Sequence, residues 1–206
     1  MSRVAVKTST AGSSGPVPQE GFPVHWNCVR LTAEQLDGMG NDWTRPIFLQ
    51  VAPGLHPTES VAINRYTQSS YYEQINRTLR SSSPVPTEET RELILVLASA
   101  LNKLPGFEGT LFRGAVLSPE VLARYVPGET IEEAGFLSTS RSKSFAAKRA
   151  ATLFVIDSNG MGKDIASMSR FPREEEVLFL PHSRFKVIEV EENTVYLRAQ
   201  PGESGE

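Results

Sequence analysis

The chain has 206 residues, 39% of them apolar, and a formal net charge of −3 at neutral pH. That is enough for one domain with a full core, and the mild acidity gives no basic footprint for nucleic acid or an anionic membrane. No apolar run approaches the ~18 residues of a membrane-spanning helix, the first residues lack the apolar stretch of a cleavable signal, and the single cysteine, Cys28, cannot close an internal disulfide.

Residues 1–20 are rich in Ser, Thr, Gly and Pro and read as a disordered tail. Globular composition starts near Phe22, with Trp26, Val29, Leu31, Leu36, Trp43, Ile47, Phe48 and Leu49 as core candidates. A short helix is expected over Thr32–Gly38, capped by Thr32 with Gln35 three residues on. Thr58–Arg80 carries apolar residues at intervals of three to five and predicts two helices broken near Gln68–Ser70. Thr87 then caps a helix from Glu88 to Lys103, which Pro105-Gly106 stops.

Beyond that point the period changes. Strands are expected at Thr110–Ala115, Gly135–Ser140, Thr152–Asp157, Lys163–Met168, Glu176–Leu180, Arg184–Val190 and Thr194–Ala199, with short helices at Ser118–Arg124 and Ser144–Ala150. Ser158-Asn159-Gly160 is a hairpin signal. Helices first and antiparallel strands later predict an α+β fold. One domain over 21–200 results, helical over 21–105 and β-rich over 106–200, with a second tail at 201–206.

Three polar features fall on these apolar strands. Arg113, followed by Gly114, places a guanidinium within a strand; its planar fork suits a phosphate, and a surface acid would suit it too. The glycine lets a ligand approach the backbone. Ser138 and Ser140 share one face of Phe136-Leu137-Ser138-Thr139-Ser140, able to orient a carboxylate or simply to form a turn. Glu174 and Glu176 flank Glu175 at the mouth of a buried strand. In an extended chain they face the same side, either as a repelling pair that a cationic ligand uses or as a solvated acidic turn.

The order Phe-Arg, Ser-Thr-Ser, Glu-x-Glu resembles the arginine–serine–glutamate class of mono-ADP-ribosyltransferases, which includes clostridial binary toxins, injected bacterial effectors and vertebrate arginine-specific ecto-enzymes. The likeness extends to the segment from Tyr66 to Arg80 and to Gly162–Val187, so it covers roughly residues 58–190. It implies two packed, mainly antiparallel β-sheets with NAD in the cleft between them and helices on the N-terminal side. It further implies that Arg113 binds the NAD phosphates and that the backbone at Arg113-Gly114 holds the nicotinamide amide. Ser138 would position Glu176, Glu176 would grip the nicotinamide ribose, and Glu174 would engage the acceptor guanidinium. Thr139 and Ser140 would complete the cofactor side. Phe171 would be either a target-recognition aromatic or core packing, and Phe145 either a nicotinamide stack or the core face of its helix; the segment before Phe145 is shorter than in the clostridial toxins.

The remaining features read as structural. His25, His56 and His182 match no metal spacing, so no metal is expected. Cys28 reads as a small buried hydrophobe, Glu189, Glu191 and Glu192 as a solvated strand end, and Gly160-x-Gly162-Lys163 lacks the spacing of a phosphate loop. The resemblance implies transfer of ADP-ribose from NAD to an arginine of a target protein by a toxin or effector that leaves its cell without a signal peptide and acts in the target-cell cytosol. A bacterial origin would imply an immunity or inhibitor protein as a further partner where the targets include the producer's own proteins, and the mild acidity argues against nucleic acid. An NAD glycohydrolase and a non-catalytic interaction domain are the alternatives.

Overall fold

The computed structural model describes residues 6–8, 22, 25–39, 52–81, 85–148 and 150–202. The core candidates Trp43, Ile47, Phe48 and Leu49 lie outside these residues.

Local sequence sets the helices. α1 (Ala33–Asp37) opens on a capping box between Thr32 and Gln35, which satisfies two backbone donors at once. α2 (Pro57–Tyr66) and α3 (Ser69–Leu79) divide at Thr67–Gln68. α4 (Glu88–Lys103) starts where the Thr87 side chain accepts from the Thr90 amide. Ile63, Tyr66, Ile75, Leu79, Leu93, Ile94, Leu97 and Leu101 interlock in one cluster that reaches Phe136, Ile165, Met168 and Leu178 of the β-rich half.

The strands are β1 (Val6–Thr8), β2 (Thr110–Ala115), β3 (Thr130–Glu133), β4 (Leu137–Ser140), β5 (Thr152–Asp157), β6 (Lys163–Asp164), β7 (Glu176–Phe179), β8 (Ser183–Glu191) and β9 (Thr194–Gln200). Short helices α5 (Pro119–Leu122) and α6 (Lys143–Ala147) follow β2 and β4. The hydrogen-bonded order is β1-β3-β8-β9-β5-β2-β4-β7-β6. All pairs are antiparallel except β5 with β9. The two expected sheets are therefore two wings of one sheet, joined through the single pair Phe112↔Ser140. Phe154, Ile156, Val177, Phe179, Phe185, Val187 and Leu197 fill the space between the wings, with Phe179 edge-on to Phe185 at 5.1 Å. In β7 the faces alternate: Val177 and Phe179 join this cluster and Leu178 joins the helical one. Burial on both faces explains the unbroken apolar run.

Several expectations need correction. Val6–Thr8, inside the stretch read as a tail, is an edge strand on β3. Thr130–Glu133 was not expected as a strand, and Lys163–Met168 shortens to Lys163–Asp164. Asn159 and Gly160 do take positive φ, 46° and 71°, yet β5 and β6 do not pair. The Gly162 carbonyl instead accepts from the Phe107 amide at 2.8 Å, and the turn hands the chain to the other wing. Cys28 is exposed, because Trp26 takes the buried place in the turn Trp26–Cys28.

Candidate active site

The β4–β7 ladder brings the singled-out residues together. Ser140 pairs with Glu176, and Ser138 with Leu178, so both serines and Glu176 share a face. Ser138 Oγ donates to Glu176 Oε1 at 2.6 Å. Ser140 Oγ donates to the Glu174 carbonyl at 2.7 Å and accepts from the Ser142 amide at 2.9 Å. Thr139 faces the other way and ties its hydroxyl to the Val177 carbonyl at 2.6 Å.

Glu174 reaches the site by a different route from the extended chain expected. It ends a 3-10 turn, Pro172–Glu174, and Glu175 follows in the left-handed region at φ 48°. Glu175 points away, as expected, toward Arg141, whose Nε lies 3.7 Å from its carboxylate. Both Glu174 and Glu176 line one cleft of about 550 Å³, with Arg113, Ser138, Phe145, Lys148 and Phe171. That volume lies in the usual range for small-molecule sites.

Arg113 projects from β2, and its Nη1 donates to the Ser138 carbonyl at 2.6 Å. Part of the guanidinium is thus spent on the serine strand, while its buried Nε has no partner among the described residues. Gly114 has a reason that sequence did not show. A Cβ there would lie 2.0 Å from the Ala146 carbonyl oxygen and 2.7 Å from Ala150 Cβ, so the glycine lets α6 close against β2. Gly114→Ala is expected to push α6 off the cleft and cost about 1–3 kcal/mol, measurable as a lower melting temperature. The core alternative fails for both aromatics: Phe145 is 37% and Phe171 47% exposed.

Burial dominates the electrostatics. It raises the Glu176 pKa to about 7, with the Glu174 charge adding to the rise and the Ser138 hydrogen bond and Arg113 opposing it. Burial also raises Glu174. Like-charge repulsion, the feature inferred from sequence, is therefore secondary to desolvation.

Sequence reasoning did not give Tyr66 this role: it placed the residue in the helical apolar pattern and at the head of the segment from Tyr66 to Arg80 that resembles the family. Its ring is fully buried, its hydroxyl lies 3.4 Å from Ser138 Oγ, and Asn76 Nδ2 donates to it at 3.0 Å. Burial and the Glu176 charge hold the phenol well above its usual pKa, so it stays a proton donor. Tyr66→Phe keeps the ring and leaves Asn76 Nδ2 without its acceptor, at an expected cost of about 1–3 kcal/mol in chemical unfolding. Among the described residues no three His, Cys, Asp or Glu side chains gather as a metal site would require.

Residues 27–204 match the family model for NAD:arginine ADP-ribosyltransferases. The chain belongs to the NAD:arginine ADP-ribosyltransferase family. Among curated relatives, Mav of Mycobacterium avium (strain 104) is 39% identical over 140 residues, covering 65% of this chain and 16% of that protein. The NAD(+)–protein-arginine ADP-ribosyltransferase Tre1 of Serratia proteamaculans (strain 568) is 33% identical over 133 residues, 64% of this chain and 29% of Tre1. The chain thus spans less than a third of the length of each of these two relatives. Among solved structures, the type III effector XopAI of Xanthomonas axonopodis pv. citri superposes with TM-score 0.63 at 26% identity, over 72% of this chain and 69% of XopAI. The ADP-ribosyltransferase Vis, solved with agmatine, gives TM-score 0.62 at 28% identity, over 71% of this chain and 75% of Vis. In this NAD:arginine ADP-ribosyltransferase fold, the Arg, Ser and Glu of the sequence motif converge on one cleft.

Proposed function

We propose that the chain transfers ADP-ribose from NAD to an arginine side chain of a target protein and releases nicotinamide. The observation that carries this reading is the buried Glu176, held by Ser138 at 2.6 Å, with Glu174 in the same cleft. The cleft residues suit NAD: Arg113 and Lys148 supply positive charge for a pyrophosphate, and Phe145 offers an exposed ring for the nicotinamide.

Each role follows from charge. As the bond between ribose C1′ and the nicotinamide nitrogen breaks, its electron pair leaves with nicotinamide and positive charge develops on the ribose. Glu176, fixed by Ser138, is an anion aimed where that charge appears. The acceptor guanidinium nitrogen then bonds to C1′ and must lose a proton, because a fully charged guanidinium is a poor nucleophile. Glu174 is placed to orient it and take that proton. Phe171, exposed beside Glu174, offers a surface for the target. No metal enters these steps.

We also read the chain as a bacterial effector or toxin that leaves its producer, a reading supported by the effector name of XopAI and the toxin name of Vis. Its partners would be a target protein bearing the acceptor arginine and, where the producer shares that target, an immunity protein. The test is incubation with labelled NAD and a bacterial or a eukaryotic lysate, beside Glu174→Ala and Glu176→Ala. A labelled protein band lost in both variants supports transfer. Free ADP-ribose with no band in either lysate and no transfer to agmatine would replace transferase by glycohydrolase, and no NAD consumption would leave an interaction domain.

A further inference from the structure

Asn64, in the last turn of α2, and Thr67, the residue that caps α2 and lines the cleft, were given no role in the chemistry above, yet they hold the segment that presents Phe171 and Glu174. Buried Asn64 donates through Nδ2 to the Met168 carbonyl at 3.0 Å. Thr67 Oγ1 accepts from the Arg170 amide at 2.9 Å and gives its own proton to the Asn64 carbonyl at 2.8 Å. Within the segment, the Phe171 amide donates to Ser169 Oγ at 2.9 Å. At the far end, Ser140 Oγ holds the Glu174 carbonyl at 2.7 Å, and the Arg141 amide holds the Glu175 carbonyl at 3.1 Å.

Residues 168–175 are thus tied to the helical layer at one end and to β4 at the other. Met168 is buried and Phe171 is half-exposed, so apolar packing anchors the first residue of the segment and not its middle. Hydrogen bonds from α2 set where the middle lies. Glu176, in contrast, is placed by the β4–β7 ladder and Ser138, which α2 reaches through Tyr66 and not through the Asn64 and Thr67 hydrogen bonds.

We propose that Asn64 and Thr67 are positioning residues for the acceptor: by fixing the segment that carries Phe171 and Glu174, they set how much cleaved NAD goes to a guanidinium and how much to water. This rests on the transferase reading above. Glu174 has to lie within hydrogen-bond reach of the attacking nitrogen, and displacing a reacting group by about 1 Å can cost up to about 10²-fold. Water needs no such alignment, so loss of the tether shifts the partition.

The experiment uses the chain with NAD and agmatine, a small guanidinium compound, and measures ADP-ribosyl-agmatine against free ADP-ribose. Thr67→Val removes the hydroxyl at nearly constant volume, and Thr67→Ser restores it. Thr67→Val is expected to lower the ratio of transfer to hydrolysis roughly tenfold and to raise KM for agmatine more than KM for NAD. Thr67→Ser is expected to keep the parental ratio, and Asn64→Ala to move it in the same direction as Thr67→Val. A parental ratio in Thr67→Val, or equal losses in Thr67→Val and Thr67→Ser, overturns the proposal and leaves the transferase reading standing. A parent chain that makes no ADP-ribosyl-agmatine while consuming NAD overturns the transferase reading itself.

Discussion

Glu176→Gln is expected to slow NAD cleavage by about 10²–10³ and, at the same time, to stabilise the fold above neutral pH. The two effects have one origin. Glu176 is only 7% exposed, and burial raises its pKa from 4.5 to about 7. The folded chain therefore binds more protons than the unfolded chain between those values. Stability falls as pH rises through this window and stays lower above it, by on the order of 3 kcal/mol for this group. Gln carries no charge to desolvate and still offers an oxygen to Ser138. Activity runs the other way, because the anion is what stabilises the developing positive charge. For the parent, kcat/KM for nicotinamide release should rise with pH through about 7, as the free enzyme's Glu176 loses its proton. The groups that set this limb are Glu174, which raises it, and Ser138 and Arg113, which lower it. Thermal melts and initial rates on parent and variant across pH decide the matter. A variant that cleaves NAD at the parental rate, or that melts lower than the parent at high pH, contradicts this account of Glu176.

Part of the site was legible in the sequence, and the boundary has physical reasons. Arg113, Ser138 and Glu176 lie on strands whose apolar pattern is local, so the strands were legible, and the family resemblance carried by their order singled these three out. α4 was bounded from its own residues, since Thr87 at the start and Pro105-Gly106 beyond the end act within one turn. Thr130–Glu133 was not, because Ile131 is its only apolar residue. It is a strand because β8 pairs with it and because Arg80 Nε, 2.9 Å away, makes burial of Glu133 tolerable. Neither partner is near in sequence. The same holds for Tyr66: helical spacing predicts that its ring is buried, and only the packing of α2 on β4 shows that its hydroxyl reaches Ser138. Glu175 is a third case. Its left-handed conformation turns the chain between Glu174 and Glu176, so the two-residue spacing found the right pair by an incorrect geometry. Local patterns thus found the strands, the family resemblance singled out residues on them, and contacts between distant elements decided how those side chains meet.

Glu174→Gln should divide the reaction where Glu176→Gln slows both of its branches. Transfer to agmatine is expected to fall by about 10² or more, the typical contribution of a positioned proton acceptor, while nicotinamide release into water persists. The geometry explains the asymmetry. Glu174 stands at the end of a turn, half-buried, with its backbone carbonyl held by Ser140 at 2.7 Å and its carboxylate toward the cleft; it meets the β4–β7 ladder only through that backbone carbonyl, whereas the Glu176 carboxylate is held by Ser138. Removing its charge also removes one of the causes that raise the Glu176 pKa. The acid limb of the remaining hydrolysis should therefore move to lower pH, not higher. Product analysis by mass spectrometry separates ADP-ribosyl-agmatine from ADP-ribose, and the pH profile of nicotinamide release reads the second effect. Parallel loss of transfer and hydrolysis would mean that Glu174 serves bond cleavage as well. A limb moving to higher pH would mean that Glu174 acts on Glu176 through structure instead of charge. The combination of retained hydrolysis and a lowered limb is what two carboxylates with separate tasks in one desolvated cleft require.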